Sequence, residues 1–262
     1  MRILNILLLI ALFSTQAFSQ VETVTKEQRV LLAVVNLTAS EKHGLKKHFH
    51  TAEEERAYRI IDEEMPEVYG AVHILYRKET DEADFLNKLQ TIAQDPAVKV
   101  VDLIFYTHGH NASYREGSPA TGLYNPEHIF ARSVDLAPKV KAVGNGKLRV
   151  LYSDACWSSQ QNNDWLAAGF LAVAGSKLID ANQTIDLRRF LRKWKKGESF
   201  GKAIDFANQS LFSKIKDKIL KGNSTKIAAG ELPINIDSAI QTESTVESPT
   251  EQPENLNEEP ES

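Results

Sequence analysis

One cysteine, Cys156, stands in the 262 residues, so no disulfide within the chain can hold the fold. The apolar stretch from Ile3 to Phe13 is too short to span a bilayer. No Gly-x-Ser-x-Gly elbow occurs, which disfavours a serine hydrolase. Gly144-Asn145-Gly146 is not continued into a phosphate-binding glycine pattern and reads as a turn. There is no internal repeat. Beyond Lys226 there is neither lysine nor arginine, while the same stretch holds nine acids. The net charge of −4 therefore belongs to the C-terminal part, and residues 1–226 carry +5. With 42% hydrophobic and 25% charged residues, the rest is an ordinary globular composition.

Three segments differ in composition. Arg2, the apolar run and Ala17-Phe18-Ser19 have the order of a secretory leader, so residues 1–19 are expected to be a signal peptide. The mature chain is then exported, to the periplasm or beyond, with no stable membrane insertion after cleavage. Residues 20–237 are expected to form one domain. Residues 238–262, rich in Ser, Thr, Pro, Glu and Asn, bury too little to offset their ordering entropy and are expected to be a disordered acidic tail. A single cysteine is unusual in an exported chain and marks Cys156 as a candidate reactive thiol or a buried one.

Between these ends, strands and helices alternate. Arg29–Val35, Ala71–Tyr76, Val98–Tyr106, Leu148–Tyr152 and Leu171–Ala174 read as buried strands. Thr51 to Tyr69 opens on a Thr51-x-x-Glu54 capping box and reads as a helix. Asp81–Ala93, Trp165–Phe170, Leu187–Lys195 and Ser199–Leu220 read as helices. The alternation predicts an α/β fold, doubly wound, with a mainly parallel sheet flanked by helices on both faces. Function in such sheets collects at the carboxyl ends of the strands.

Two strand ends carry reactive residue types: Thr107-His108-Gly109-His110, and Ser153-Asp154-Ala155-Cys156-Trp157-Ser158. If the strands are neighbours, His108 and Cys156 share a rim. An imidazole there can stabilise a thiolate or protonate a leaving amine. Gly109 lets the backbone turn and aim its N–H at a developing oxyanion. Taken singly, a lone Cys is also a common core residue, a lone His a common structural one, and Asp154 a possible helix cap.

Together VVDLIFYTHG and LRVLYSDACWSS resemble the caspase-like cysteine peptidases, the clan of caspases, metacaspases, legumain, clostripain and gingipains. His108 and Cys156 are 48 residues apart, close to the caspase spacing of about 50. The likeness extends over residues 29 to 232, with AVAGSK and ESFGKAIDFAN in corresponding places. Caspases proper carry Gln-Ala-Cys-x-Gly, so the chain is nearer the clostripain, metacaspase and legumain branches. The resemblance implies a caspase-like fold and endopeptidase activity on a peptide or protein substrate, with no cofactor and no metal. It implies Cys156 as nucleophile, His108 as proton donor, and the N–H groups of Gly109 and Cys156 as the oxyanion hole. It also implies Asp154 in the primary specificity pocket, hence cleavage after Arg or Lys.

Other readings compete. Thr107-His108-Gly109-His110 is similar to the metallo-β-lactamase signature, but the following Asp and third His are missing. A catalytically inactive caspase-like scaffold is a further alternative. His48-Phe49-His50 reads as a solvated loop, and Ser113–Gly122 as an exposed processing site. The basic run Arg188 to Lys196 interleaves with Phe190, Leu191 and Trp194 at helical spacing, so it reads as a helix with one solvated basic face rather than a nucleic-acid site. Five Asn-x-Ser/Thr sequons, at Asn36, Asn111, Asn182, Asn208 and Asn223, matter only in a eukaryotic secretory route. The oligomeric state is not readable from the sequence.

Overall fold

A computed structural model describes residues 23–38, 45–111, 120–121, 123, 131–181 and 183–240. The leader, the tail beyond Ile240 and all but Ala120–Thr121 of the expected processing segment lie outside the described residues.

Six strands form one sheet: β1 (Arg29–Asn36), β2 (Ala71–Tyr76), β3 (Val100–Thr107), β7 (Leu148–Ser153), β8 (Ala172–Ser176) and β9 (Lys226–Gly230), in the order β2-β1-β3-β7-β8-β9. The first five are parallel and β9 returns antiparallel along β8. Two-residue strands β4 (Gly109–His110), β5 (Ala120–Thr121) and β6 (Ala131–Arg132) make a small antiparallel sheet above the rim. The helices are α1 (Leu45–Glu64), α2 (Glu82–Gln94), α3 (Ser133–Gly144), α4 (Asn162–Ala167), α5 (Gln183–Trp194), α6 (Phe200–Asn208) and α7 (Leu211–Leu220).

The inner strands β1, β3, β7 and β8 are buried along their whole length because they carry no polar alternation, while the edge strands β2 and β9 are more exposed. Leu31, Ala33 and Val35 of β1 pack toward α1, α5 and α6 with Ile61, Phe190 and Phe200. Val30, Leu32 and Val34 pack toward α2, α3 and α4 with Phe85, Val140 and Trp165. This is the doubly wound, mainly parallel α/β arrangement that the alternation predicts. Strand order reverses between β1 and β3, so the topological switch point lies at their carboxyl ends.

Several elements differ from expectation. Helix α1 begins at Leu45, which places Thr51 mid-helix and dissolves the expected capping box. Glu54 instead turns inward, fully buried, and accepts from the N–H groups of Leu37 (2.5 Å) and Thr38 (2.7 Å). A buried carboxylate with backbone donors outweighs a local cap. His48-Phe49-His50 is helical rather than loop. The expected helix 199–220 is two helices, broken at Gln209 and restarted by Ser210, whose side chain accepts from Ser213 N–H. Helix α3, which contains Pro138, carries too weak an apolar stripe to be read in advance. The basic run is helical with Leu187, Phe190, Leu191 and Trp194 buried, as its interleaving predicts.

Candidate active site

The strands that end in His108 and Asp154-Ala155-Cys156 are immediate neighbours, paired in parallel with Phe105 opposite Ser153. Asp154 N–H continues the ladder, donating to Phe105 O (2.8 Å). Beyond that point the two chains close on each other. A β-carbon built on Gly109 would lie 2.9 Å from Cys156 N and closer still to Cys156 O. Only glycine lets the main chain after His108 approach the main chain of the cysteine this tightly. Gln183, at the start of α5, ties both ends, donating from Nε2 to Asp154 O (2.6 Å) and Thr107 O (3.4 Å).

His108 is oriented from the switch point. Its Nε2 lies 2.7 Å from Leu37 O, the residue after β1. A carbonyl only accepts, so Nε2 carries the proton and donates. That bond also withdraws Nε2 from metal ligation, which argues against the metallo-β-lactamase reading. Leu37 is itself held by Glu54, whose carboxylate also takes Arg77 Nε at 3.0 Å. The ring of His50 packs against that of His108, with centroids 5.0 Å apart. His110 sits half-buried in β4.

Cys156 is followed by Trp157 in the left-handed region (φ 55°), strain that a non-glycine residue adopts where the surroundings impose it. Trp157 N–H donates to Leu178 O (2.8 Å), and the Cys156 sulfur accepts from Asp180 N–H (3.3 Å). Burial pushes the thiol up to about 11, partly offset by the Asp180 N–H.

Beneath the cysteine lies an ion cluster. Lys226, the first residue of β9, is fully buried. Its Nζ lies 2.6 Å from Asp154 Oδ1, 3.8 Å from Asp186 Oδ2, and donates to Asp180 Oδ2 and to Ser176 Oγ (3.0 Å). Tyr152 O–H donates to Asp154 Oδ1 (3.1 Å). Burial raises Asp154 well above the usual carboxylate range, against the pull of Lys226, and raises Asp186 to about 6. The three carboxylates in turn hold Lys226 above the ordinary lysine range, against its burial.

The resemblance implies an Asp154 carboxylate buried beside a substrate guanidinium; in the structure its buried partner is a cation of the chain itself. Asp154 is fully buried, and the chain's own lysine already answers its charge. The reason is the antiparallel return of β9, which sets Lys226 opposite Ser176 at the carboxyl end of β8. Leu37, Glu54, Asp180, Gln183 and Lys226 were not found by sequence reasoning. Leu37 acts through a backbone carbonyl, which leaves no residue-type signal. Lys226 lies 70 positions beyond Cys156 and is brought back only by the sheet.

No protein-family model matches the chain, and no curated protein matches it. Solved structures do. A secreted C11 cysteine protease from Bacteroides thetaiotaomicron, in complex with an irreversible peptide inhibitor, aligns at TM-score 0.40 and 12% identity over 62% of this chain and 53% of that one. This chain thus spans about half the length of that protease. Caspase-1 from Spodoptera frugiperda aligns at TM-score 0.48 and 12% identity, over 79% of this chain and 87% of that one. Likenesses this distant carry no conclusion about activity or the roles of residues.

Proposed function

We propose that this chain is a cysteine endopeptidase of the caspase-like kind, acting on protein or peptide substrates. The observation that supports the reading is the close approach of the Gly109 and Cys156 main chains at the ends of two adjacent strands. The resemblance of both strand-end motifs supports it.

In this reading the Cys156 proton passes to the His108 imidazole, and the sulfur attacks the scissile carbonyl carbon. The Gly109 and Cys156 N–H groups face the oxygen that gains charge. Collapse breaks the C–N bond, the amine leaves with the proton from His108, and water then cleaves the thioester. Leu37 O keeps Nε2 protonated throughout and so steers proton transfer to Nδ1. Cleavage after Arg or Lys loses its physical support, since a second cation would have to displace Lys226 from a fully buried site. Export to the periplasm or beyond remains part of the proposal and rests on the leader composition alone.

The test is active-site labelling of the mature chain with peptidyl acyloxymethyl ketones bearing Arg, Asp or an uncharged first residue, on the wild type and on Cys156→Ala and His108→Ala. Labelling that vanishes in Cys156→Ala and falls at least tenfold in His108→Ala supports the dyad. Labelling by the Arg probe above the others would restore the basic pocket. No labelling by any probe in a folded sample would move the assignment to the inactive scaffold.

A further inference from the structure

Helix α7 is built inside out. At 100° per residue, Leu211, Phe212, Ile215 and Ile219 fall within one arc of about 100°. In an ordinary surface helix that arc faces the core. Here it faces water: Leu211 is 73% exposed, Phe212 64%, Ile215 51% and Ile219 72%. The side turned to the protein is small and polar. Ser213 is the only buried residue of the helix and donates to Asp186 (2.9 Å). Asp217, the only acid of the helix, is bonded to Ser224 N–H and O–H (3.0 and 2.9 Å).

With that acid turned in, the outward surface holds aliphatic and aromatic side chains and lysines alone. Lys216 borders the apolar arc on one side, Lys214 and Lys218 on the other, and Lys221 follows at the end. The surface continues across to α1, where Phe49 is 54% exposed and lies 6.0 Å from Lys216 Nζ.

We propose that this face is a peripheral docking site for an anionic lipid surface, with the α7 axis lying in the membrane plane. An apolar arc bordered by lysines on a short, preformed helix is the pattern of interfacial helices, in which side chains enter the acyl boundary while ammonium groups meet phosphates. The complementarity is one of charge and polarity: the helix face offers ammonium groups and apolar surface with no outward carboxylate, and a bilayer of anionic lipid offers phosphates and apolar surface. The association is interfacial, since no helix among the described residues is long and apolar enough to cross a membrane. Residues 241–262 match the lysines in charge but supply only Val246 and Leu256, beside prolines, to cover four large apolar groups.

The test is flotation of the full mature chain with phosphatidylcholine vesicles, with and without phosphatidylglycerol, at low and high salt. The result expected is binding to the phosphatidylglycerol vesicles only, weakened by salt. Phe212→Ser with Ile219→Ser, both exposed and so neutral to folding, should abolish it. Lys216→Gln and Lys218→Gln should each weaken it about fivefold. Equal binding to neutral vesicles, no binding, or binding retained in the serine double variant would overturn the proposal. So would a dimer in sedimentation equilibrium that the double variant dissociates, which gives the face to a second copy. Vesicle binding that appears only on deleting residues 241–262 would give the face to the tail and likewise overturn it.

Discussion

Among the described residues, Lys226 is the single positive charge set among Asp154, Asp180 and Asp186 beneath the cysteine. Removing one partner of a buried ion cluster costs about 3–5 kcal/mol, because the remaining charges lose their compensation. Lys226→Met should therefore lower stability by that order at pH 8 in chemical denaturation. The loss should shrink toward pH 5, since carboxylates without their lysine regain neutrality by binding protons. Asp186 gives a second pH effect. Its folded value, about 6, lies above the unfolded one, so its contribution is fully present below about pH 4 and is lost as pH rises through 6. Asp186→Asn should flatten that part of the stability profile.

At the cysteine, a thiol pushed up to about 11 predicts slow resting alkylation. Iodoacetamide modification of Cys156 should rise about tenfold per pH unit from 7 to 10; a plateau near neutrality would show a preformed thiolate instead. Gly109→Ala has no room beside Cys156 N and O, so it should abolish peptidase activity, and the melting temperature should fall with it. Glu54→Gln weakens the grip on Leu37 and Thr38, and through Leu37 O on His108. It should lower kcat and shift the acid limb of the pH–rate profile while leaving KM nearly unchanged, which a purely structural role would not do.

Among the elements, the helices obey local rules where nothing competes. Asp81 caps α2 by accepting from Ala83 N–H, and Phe85, Leu89 and Ile92 form its buried stripe. Asp81→Ala should cost about 1 kcal/mol, read as a shift in denaturant midpoint with unchanged slope. Helix α1 shows the opposite case. Its Thr51-x-x-Glu54 spelling is a valid cap, yet Glu54 is worth more to the loop after β1 than to a helix start. Helices α6 and α7 read as one periodic run because Ser210 is an ordinary polar residue until its side chain is seen capping Ser213. β9 is short and half-exposed along much of its length, so its apolar content signals little; its position decides that the acid floor of the site is closed.

For the molecule as a whole, the sheet is clamped at the end opposite the site. Arg149 and Asp102 form a buried pair (2.6 Å) joined by the Tyr69 hydroxyl. Arg149 also donates to Ile236 O and Ser238 O, and Arg29 to Asp237. The segment through Ser238 is thereby part of the fold, with Ile234 and Ile236 buried in the core beside Phe200. Cutting the chain after Ile240 should leave denaturation unchanged. Cutting after Glu231 removes two isoleucines worth about 1.5–3 kcal/mol each and strips acceptors from Arg149, so it should destabilise by several kcal/mol.

The layer architecture was legible in the chain itself, since strands apolar on both faces that alternate with helical segments bury those faces under helices. Where chemistry could sit was legible as well, because His108-Gly109 and Asp154-Ala155-Cys156 follow apolar runs and must emerge at a strand end. That β3 and β7 are neighbours, that Leu37 O sets the tautomer of His108, and that Lys226 pairs with Asp154 emerge only once the chain is folded. Each of those depends on contacts between segments tens of residues apart. Local composition constrains periodicity and capping over a few turns of chain, whereas a buried charge or a lone carbonyl acquires its meaning from what the sheet brings beside it.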